Sequence, residues 1–108
     1  MNVAAKSSLS SSRARLVECM QHLGFGTIEN LVIRGGEPVF APSPRVIRDL
    51  KLGGENGPRP ESDLDDFVLK AQVLDLLARL GSIGNGTIRC LEVKHGLPFR
   101  MQVEETTA

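Results

Sequence analysis

Laid on itself, the chain repeats a phrase. Gly26-Thr27-Ile28-Glu29-Asn30-Leu31-Val32-Ile33-Arg34-Gly35-Gly36-Glu37-Pro38 aligns without a gap on Gly86-Thr87-Ile88-Arg89-Cys90-Leu91-Glu92-Val93-Lys94-His95-Gly96-Leu97-Pro98. Gly, Thr, Ile, Leu, Gly and Pro are identical in the two copies, and the Ile33/Val93 and Arg34/Lys94 pairs are conservative. The segments before them also match, at a register shifted by three. Ala14, Leu16, Val17, Glu18, Met20, Leu23 and Gly24 fall on Ala71, Val73, Leu74, Asp75, Leu77, Leu80 and Gly81, with Ser82-Ile83-Gly84 as the extra residues. A duplicated unit constrains the fold strongly, because each copy is one supersecondary element that cannot bury its apolar face alone. In 108 residues there is room for one domain made of two such units, and two large independent domains are excluded.

Each unit reads as a helix followed by a β-hairpin. Leu16, Val17, Met20 and Leu23 recur at i, i+1, i+4 and i+7, one face of an amphipathic helix, with Gly24 placed as its C′ residue. In the second unit Ser62 with Asp65 resembles a capping box, and Asp63, Asp65 and Asp66 suit the positive end of a helix dipole. Phe67, Ala71, Leu74 and Leu77 then form an apolar row, widened by Val73, Leu76 and Leu80, and Gly81 is expected to end the helix. A helix so broadly apolar asks for burial on more than one side.

The apolar points of the strands that follow are Ile28, Leu31 and Ile33, repeated as Ile88, Leu91 and Val93. The step from Ile to Leu is three where a strand needs two, so a bulge or face switch is expected near Glu29-Asn30 and Arg89-Cys90. Gly35-Gly36 and His95-Gly96 suit two-residue primed turns. Pro38 and Pro98 cannot donate to a ladder, and are expected to face outward at an edge or bulge. Residues 45–52 read as a third strand, with Val46, Leu50 and Leu52 on one face, or as a short helix. The resulting fold class is α+β: two helix–hairpin units forming one domain with pseudo-twofold organisation. Residues 13–52 and 62–103 form the units and a Gly/Pro-rich loop, 53–61, joins them. Residues 1–12 read as a Ser-rich tail with a helix cap, and 104–108 as a frayed end.

Thirteen Lys and Arg balance thirteen Asp and Glu, so the basic excess of many polyanion binders is missing. The neutrality is a sum of unequal parts. Residues 41–60 carry net +2, and residues 61–81 carry net −3. Asp63, Asp65, Asp66 and Asp75 are therefore candidates for a partner-binding acidic face. The second hairpin is the basic one: Arg89, Lys94 and Arg100 against Glu92 are the candidate contacts if the chain binds nucleic acid through a β-ribbon. The first hairpin does not share that face, having Arg34 against Glu29 and Glu37. No motif carries catalysis. Gly24-Phe25-Gly26 and Gly84-Asn85-Gly86 precede strands, whereas phosphate-cradling glycines follow them. Cys19 and Cys90 with His22 and His95 match no zinc spacing, and the Asp cluster lacks the spacing of a calcium loop. No catalytic residue, cofactor or metal is expected. No apolar run approaches the roughly 18–20 residues that span a bilayer. The N-terminal segment lacks the apolar stretch of a secretory signal, and the reduced-thiol reading of two cysteines places the chain in the cytoplasm.

The phrase from Leu23-Gly24-Phe25-Gly26-Thr27-Ile28 through Gly36 resembles small uncharacterised bacterial proteins of the YezD type, which join a helix to a Gly-Thr/Ser-Ile/Val hairpin. Gly84 to Gly96 is similar but lacks the aromatic before its glycine, and this chain differs in carrying two units and in Pro38 and Pro98. The resemblance implies a unit shape and no activity. The expectation from the residues is a small non-enzymatic interaction or regulatory protein whose partner is a second copy or another protein. Nucleic-acid binding by the second hairpin is the first alternative, and an enzyme or accessory subunit the second.

Overall fold

Glycine punctuation and apolar spacing resolve into seven elements in a computed structural model that describes residues 9–53 and 70–105. They are α1 (Ser11–Leu23), β1 (Gly26–Arg34), β2 (Glu37–Val39), β3 (Arg45–Arg48), α2 (Ala71–Ile83), β4 (Gly86–Lys94) and β5 (Leu97–Glu104). The fold is α+β, two helices with a five-stranded antiparallel sheet. Strand order is β2-β1-β4-β5. β3 also pairs with β1, covering Gly26 to Glu29, while β2 covers Val32 to Arg34. Residues 45–48 are thus a strand, and Val46, Leu50 and Leu52 are exposed and do not form a core face.

The sheet is centred on β1 and β4. Gly26 lies opposite Val93, Ile28 opposite Leu91, Leu31 opposite Ile88 and Ile33 opposite Gly86. Both strands bury residues three apart, Ile28 with Leu31 and Ile88 with Leu91. In β1 the face is reset at Asn30, whose φ of 59° is left-handed. In β4 the reset coincides with a bulge, since Ile88 pairs with Val103 but Cys90 with Gln102. Two-residue turns close both hairpins. Gly35 and Gly36 have φ of 58° and 76°, His95 and Gly96 of 56° and 72°, the positive pair that a type I′ turn needs.

One core lies between the helices and one sheet face. Leu16, Val17, Met20 and Leu23 of α1 meet Val73, Leu76, Leu77 and Leu80 of α2 over the inward residues of β1 and β4. Each such aliphatic side chain, fully buried, contributes about 1.5–3 kcal/mol. The inward row of α2 is Val73, Leu76, Leu77 and Leu80, whereas Ala71 and Leu74 are exposed, so the row expected through Leu74 is corrected. Helix α2 begins at Ala71 with Lys70 at its N-cap, so Ser62 does not cap it. Ser62, Asp63, Asp65, Asp66 and Phe67 lie outside the described residues.

Its other end is corrected too. The helix continues through Gly81 to Ile83, and Gly84 is the cap residue. Gly24 caps α1, so the helix ends are separated by the same interval as Gly26 and Gly86, with no three-residue shift. The turns clasp these ends crosswise: Gly36 N–H donates to Gly84 O and Gly96 N–H to Gly24 O, each at 2.8 Å. Pro38 and Pro98 are buried, contrary to the outward placement expected. They pair with Ile33 and Val93, and so turn their rings to the core. What faces the edge is the missing N–H, because these pairs sit one step beyond the hydrogen-bonded pair flanking each turn. Strand β5 includes Glu104, which the frayed end was expected to contain.

Candidate interaction groove

A cleft of about 480 Å³ lies between α2 and β5. Its floor is apolar: Leu76 from α2, Leu91 from β4, and Pro98, Met101 and Val103 from β5. Met101 and Val103 pack against the core but stay partly open. The rim is charged, with Asp75 and Arg79 one helical turn apart on α2, joined at 3.1 Å, and Arg100 of β5 also lines the cleft.

Phe99 forms the remaining wall and is 61% exposed. A register slip puts it there: Glu92 pairs with Arg100 but Val93 with Pro98, so Phe99 has no partner on β4. A bulge re-aims its side chain away from the alternation that would have set its face. The Lys94 ammonium lies 4.1 Å from the ring centroid.

The other flank of the sheet is built differently. Phe40 follows β2 directly and packs against the core, with the Arg15 guanidinium of α1 at 4.4 Å from its ring centroid. A ring of this chain's own thus lies between α1 and the sheet. Beside α2 no ring of the described residues lies within the cleft, and Phe99 stands on its wall.

Of the residues singled out from sequence, Asp75 and Arg100 meet at this cleft. Arg89 lies across the outer region of β4 and β5, held by Glu104 at 2.6 Å and by Asn30 at 3.1 Å. Arg100 is paired with Glu92 at 2.9 Å. Two of the three basic side chains of the second hairpin therefore spend their charge on carboxylates of the same sheet. Phe99, Arg79, Met101 and Val103 were missed. The one signal for them in sequence is an aromatic directly after a strand proline, Pro98-Phe99, which marks an interrupted edge.

The remaining polar groups do structural work. Burial raises the Cys19 thiol above its ordinary value, against a lowering by Arg15. Burial also raises Cys90, helped by Glu29 and Glu92. Both are unpaired and less nucleophilic at neutral pH than an activated thiolate. The His95 ring meets Phe25 edge to face, centroids 4.8 Å apart, and so bolts the second turn to the end of α1. Among the described residues no group of three or more His, Cys, Asp or Glu is placed to hold a metal. Among them, too, no helix is long and apolar enough to cross a membrane. Comparison with protein-family models, with curated proteins and with solved structures returned no match.

Proposed function

We propose that this chain is a protein-interaction module without catalytic chemistry of its own, and that the α2–β5 groove is its contact surface. One observation carries the reading: an apolar floor, uncovered by the described residues, lies beside an exposed aromatic and is ringed by charges of both signs. Interfaces are built in that way, with an apolar, aromatic-rich centre inside a polar rim. Two of the three basic residues of the second hairpin, Arg89 and Arg100, are engaged with Glu104 and Glu92, which weakens the nucleic-acid alternative.

The scaffold of this module is a duplicated helix–hairpin unit with pseudo-twofold organisation. The pairing of β1 with β4 supports it, because the register is unchanged when the copies are exchanged: Ile28 opposite Leu91 becomes Ile88 opposite Leu31. The crosswise bonds from Gly36 to Gly84 and from Gly96 to Gly24 obey the same exchange. In this organisation the two units part company at the grooves, one filled by Phe40 and the other open.

A photo-crosslinking amino acid in place of Gln72, on the groove rim, tests the contact surface in the full chain within an extract of its source. The expected result is polypeptide adducts that vanish when Phe99→Asp is added and do not form with the same probe at Val46, on the opposite edge. If no polypeptide is captured, this chain itself included, the reading fails.

A further inference from the structure

We infer that the groove's occupant is a second copy of this chain, joined about a twofold axis that places Phe99 of each copy in the α2–β5 groove of the other. The inference rests on the reading of that groove as a contact surface and adds its partner.

Three features support it. The first is what fills the corresponding place on the other flank. There the space between helix and sheet is taken by an aromatic ring, Phe40, lying under a charged side chain of the helix. The α2 flank offers Leu76, Met101 and Val103 as a floor for such a ring, and none of the described residues covers them. An aromatic side chain is thus the chemistry the groove fits.

The second is that the patch carries its own ligand. A twofold interface uses one patch twice, so it must contain both a knob and the hole that receives it. Phe99 and the apolar floor lie side by side on one surface, and Phe99 has more than half its surface open. A separate partner protein would need only the hole.

The third is charge. A rim of one sign would repel its own copy, whereas the α2 rim carries both signs, Asp75 and Arg79, both well exposed. A twofold axis brings the two rims together running in opposite directions, so that Asp75 of one copy approaches Arg79 of the other. Such pairs set orientation more than they set affinity.

Sedimentation equilibrium on the full chain under reducing conditions tests the inference. The wild type is expected to sediment as a dimer that dissociates on dilution. Phe99→Asp removes an exposed ring, should leave the far-UV circular dichroism unchanged, and is expected to raise the dimer dissociation constant by about tenfold or more. Asp75→Arg alone is expected to weaken the dimer, and Asp75→Arg combined with Arg79→Asp to restore it. A wild type that stays monomeric up to about 100 µM overturns the inference, as does a dimer indifferent to all of these substitutions. The two readings remain separable. A monomer whose groove still captures another polypeptide in a Phe99-dependent way keeps the contact surface and discards the second copy. A monomer with no adduct discards both.

Discussion

Four glycines near the helix ends do three different jobs. Gly24 and Gly84 stop the helices in the same manner, with φ and ψ of 72° and −66° in one and 67° and −77° in the other. The following N–H then returns to the carbonyl two residues back, Phe25 to Leu23 at 2.8 Å and Asn85 to Ile83 at 2.7 Å. That is a γ-turn with positive φ, strained for any residue with a Cβ. Gly26 serves β3 instead: its φ is 153°, and a Cβ there would stand 2.0 Å from Ile47 O. Gly81 has neither constraint. It sits inside α2 without a positive φ, and a Cβ added to it meets nothing within 4 Å. Gly81→Ala is therefore expected to stabilise the protein by about 0.5–1 kcal/mol, through helix propensity and a less free unfolded chain. Gly84→Ala, equally unobstructed in space, is expected to cost about 1–3 kcal/mol for its backbone alone. Urea denaturation of the two variants reads both. A loss at Gly81 equal to that at Gly84 would mean that the helix ends three residues earlier. Composition cannot separate these glycines, since Gly81 and Gly84 both follow an apolar helical row; only the backbone geometry does.

At the scale of elements, the hairpins were legible and the second helix only in part. Gly35-Gly36 and His95-Gly96 demand positive φ wherever the chain folds, and the three-residue step from Ile to Leu betrays a reset of faces under any packing. Helix α2 is different. Val73, Leu74, Leu76, Leu77 and Leu80 spread around it, so spacing alone permits several inward faces, and the sheet selects the one that leaves Leu74 outside. The polar tie between the start of α1 and its hairpin could not be read at all. Glu37 of β2 accepts hydrogen bonds from Ser10 and Ser12 at the start of α1. Arg13 adds an ion pair, its Nε 3.3 Å from Glu37 Oε2, and a hydrogen bond from Nη2 to Gly36 O at 3.0 Å. The Nε contact is an ion pair only, because that buried atom finds no aligned acceptor. These contacts, the two serine hydroxyls first, hold the Glu37 carboxyl below its ordinary value of 4.5. A carboxylate with a lowered folded-state pKa stabilises the fold above its unfolded value and loses that contribution as pH falls through the lowered one. Glu37→Gln is thus expected to be less stable than wild type at pH 7, and the gap to narrow at an acidic pH below the depressed carboxyl value. The side chain is 41% exposed, so solvent screening keeps the difference to about 1 kcal/mol or less. Chemical denaturation at the two pH values measures it, and a gap that persists at the lower pH would remove the carboxylate from the explanation.

For the whole molecule, the repeated phrase leaves open whether its two copies join sheets edge to edge or pack a sheet on a helix. The joint is edge to edge, through β1 and β4, and each turn is bonded to the helix end of the other half. The groove was hidden for the same reason. It exists because α2 stops short of covering β5 and because a register slip expels Phe99, both consequences of long-range packing rather than of local pattern. This joint has a mechanical consequence. Neither half owns a closed core: Ile28, Leu31 and Ile33 lie under helices from both halves, and removing β4 bares the full length of β1. A fragment of that size falls below what a single apolar core usually supports. Expressed as separate chains divided within residues 54–69, the two halves are expected to be unfolded alone by circular dichroism. Mixed in equal amounts, they are expected to recover the strand and helix signal together, in one step that shifts with concentration. The crosswise bonds make the association mutual, so Gly36→Ala in one fragment is expected to weaken recovery in the other. Its Cβ would press to 3.2 Å on the Gly81 Cα across the joint and strain the turn at a φ of 76°. A half that folded by itself would show instead that the joint merely docks two finished units.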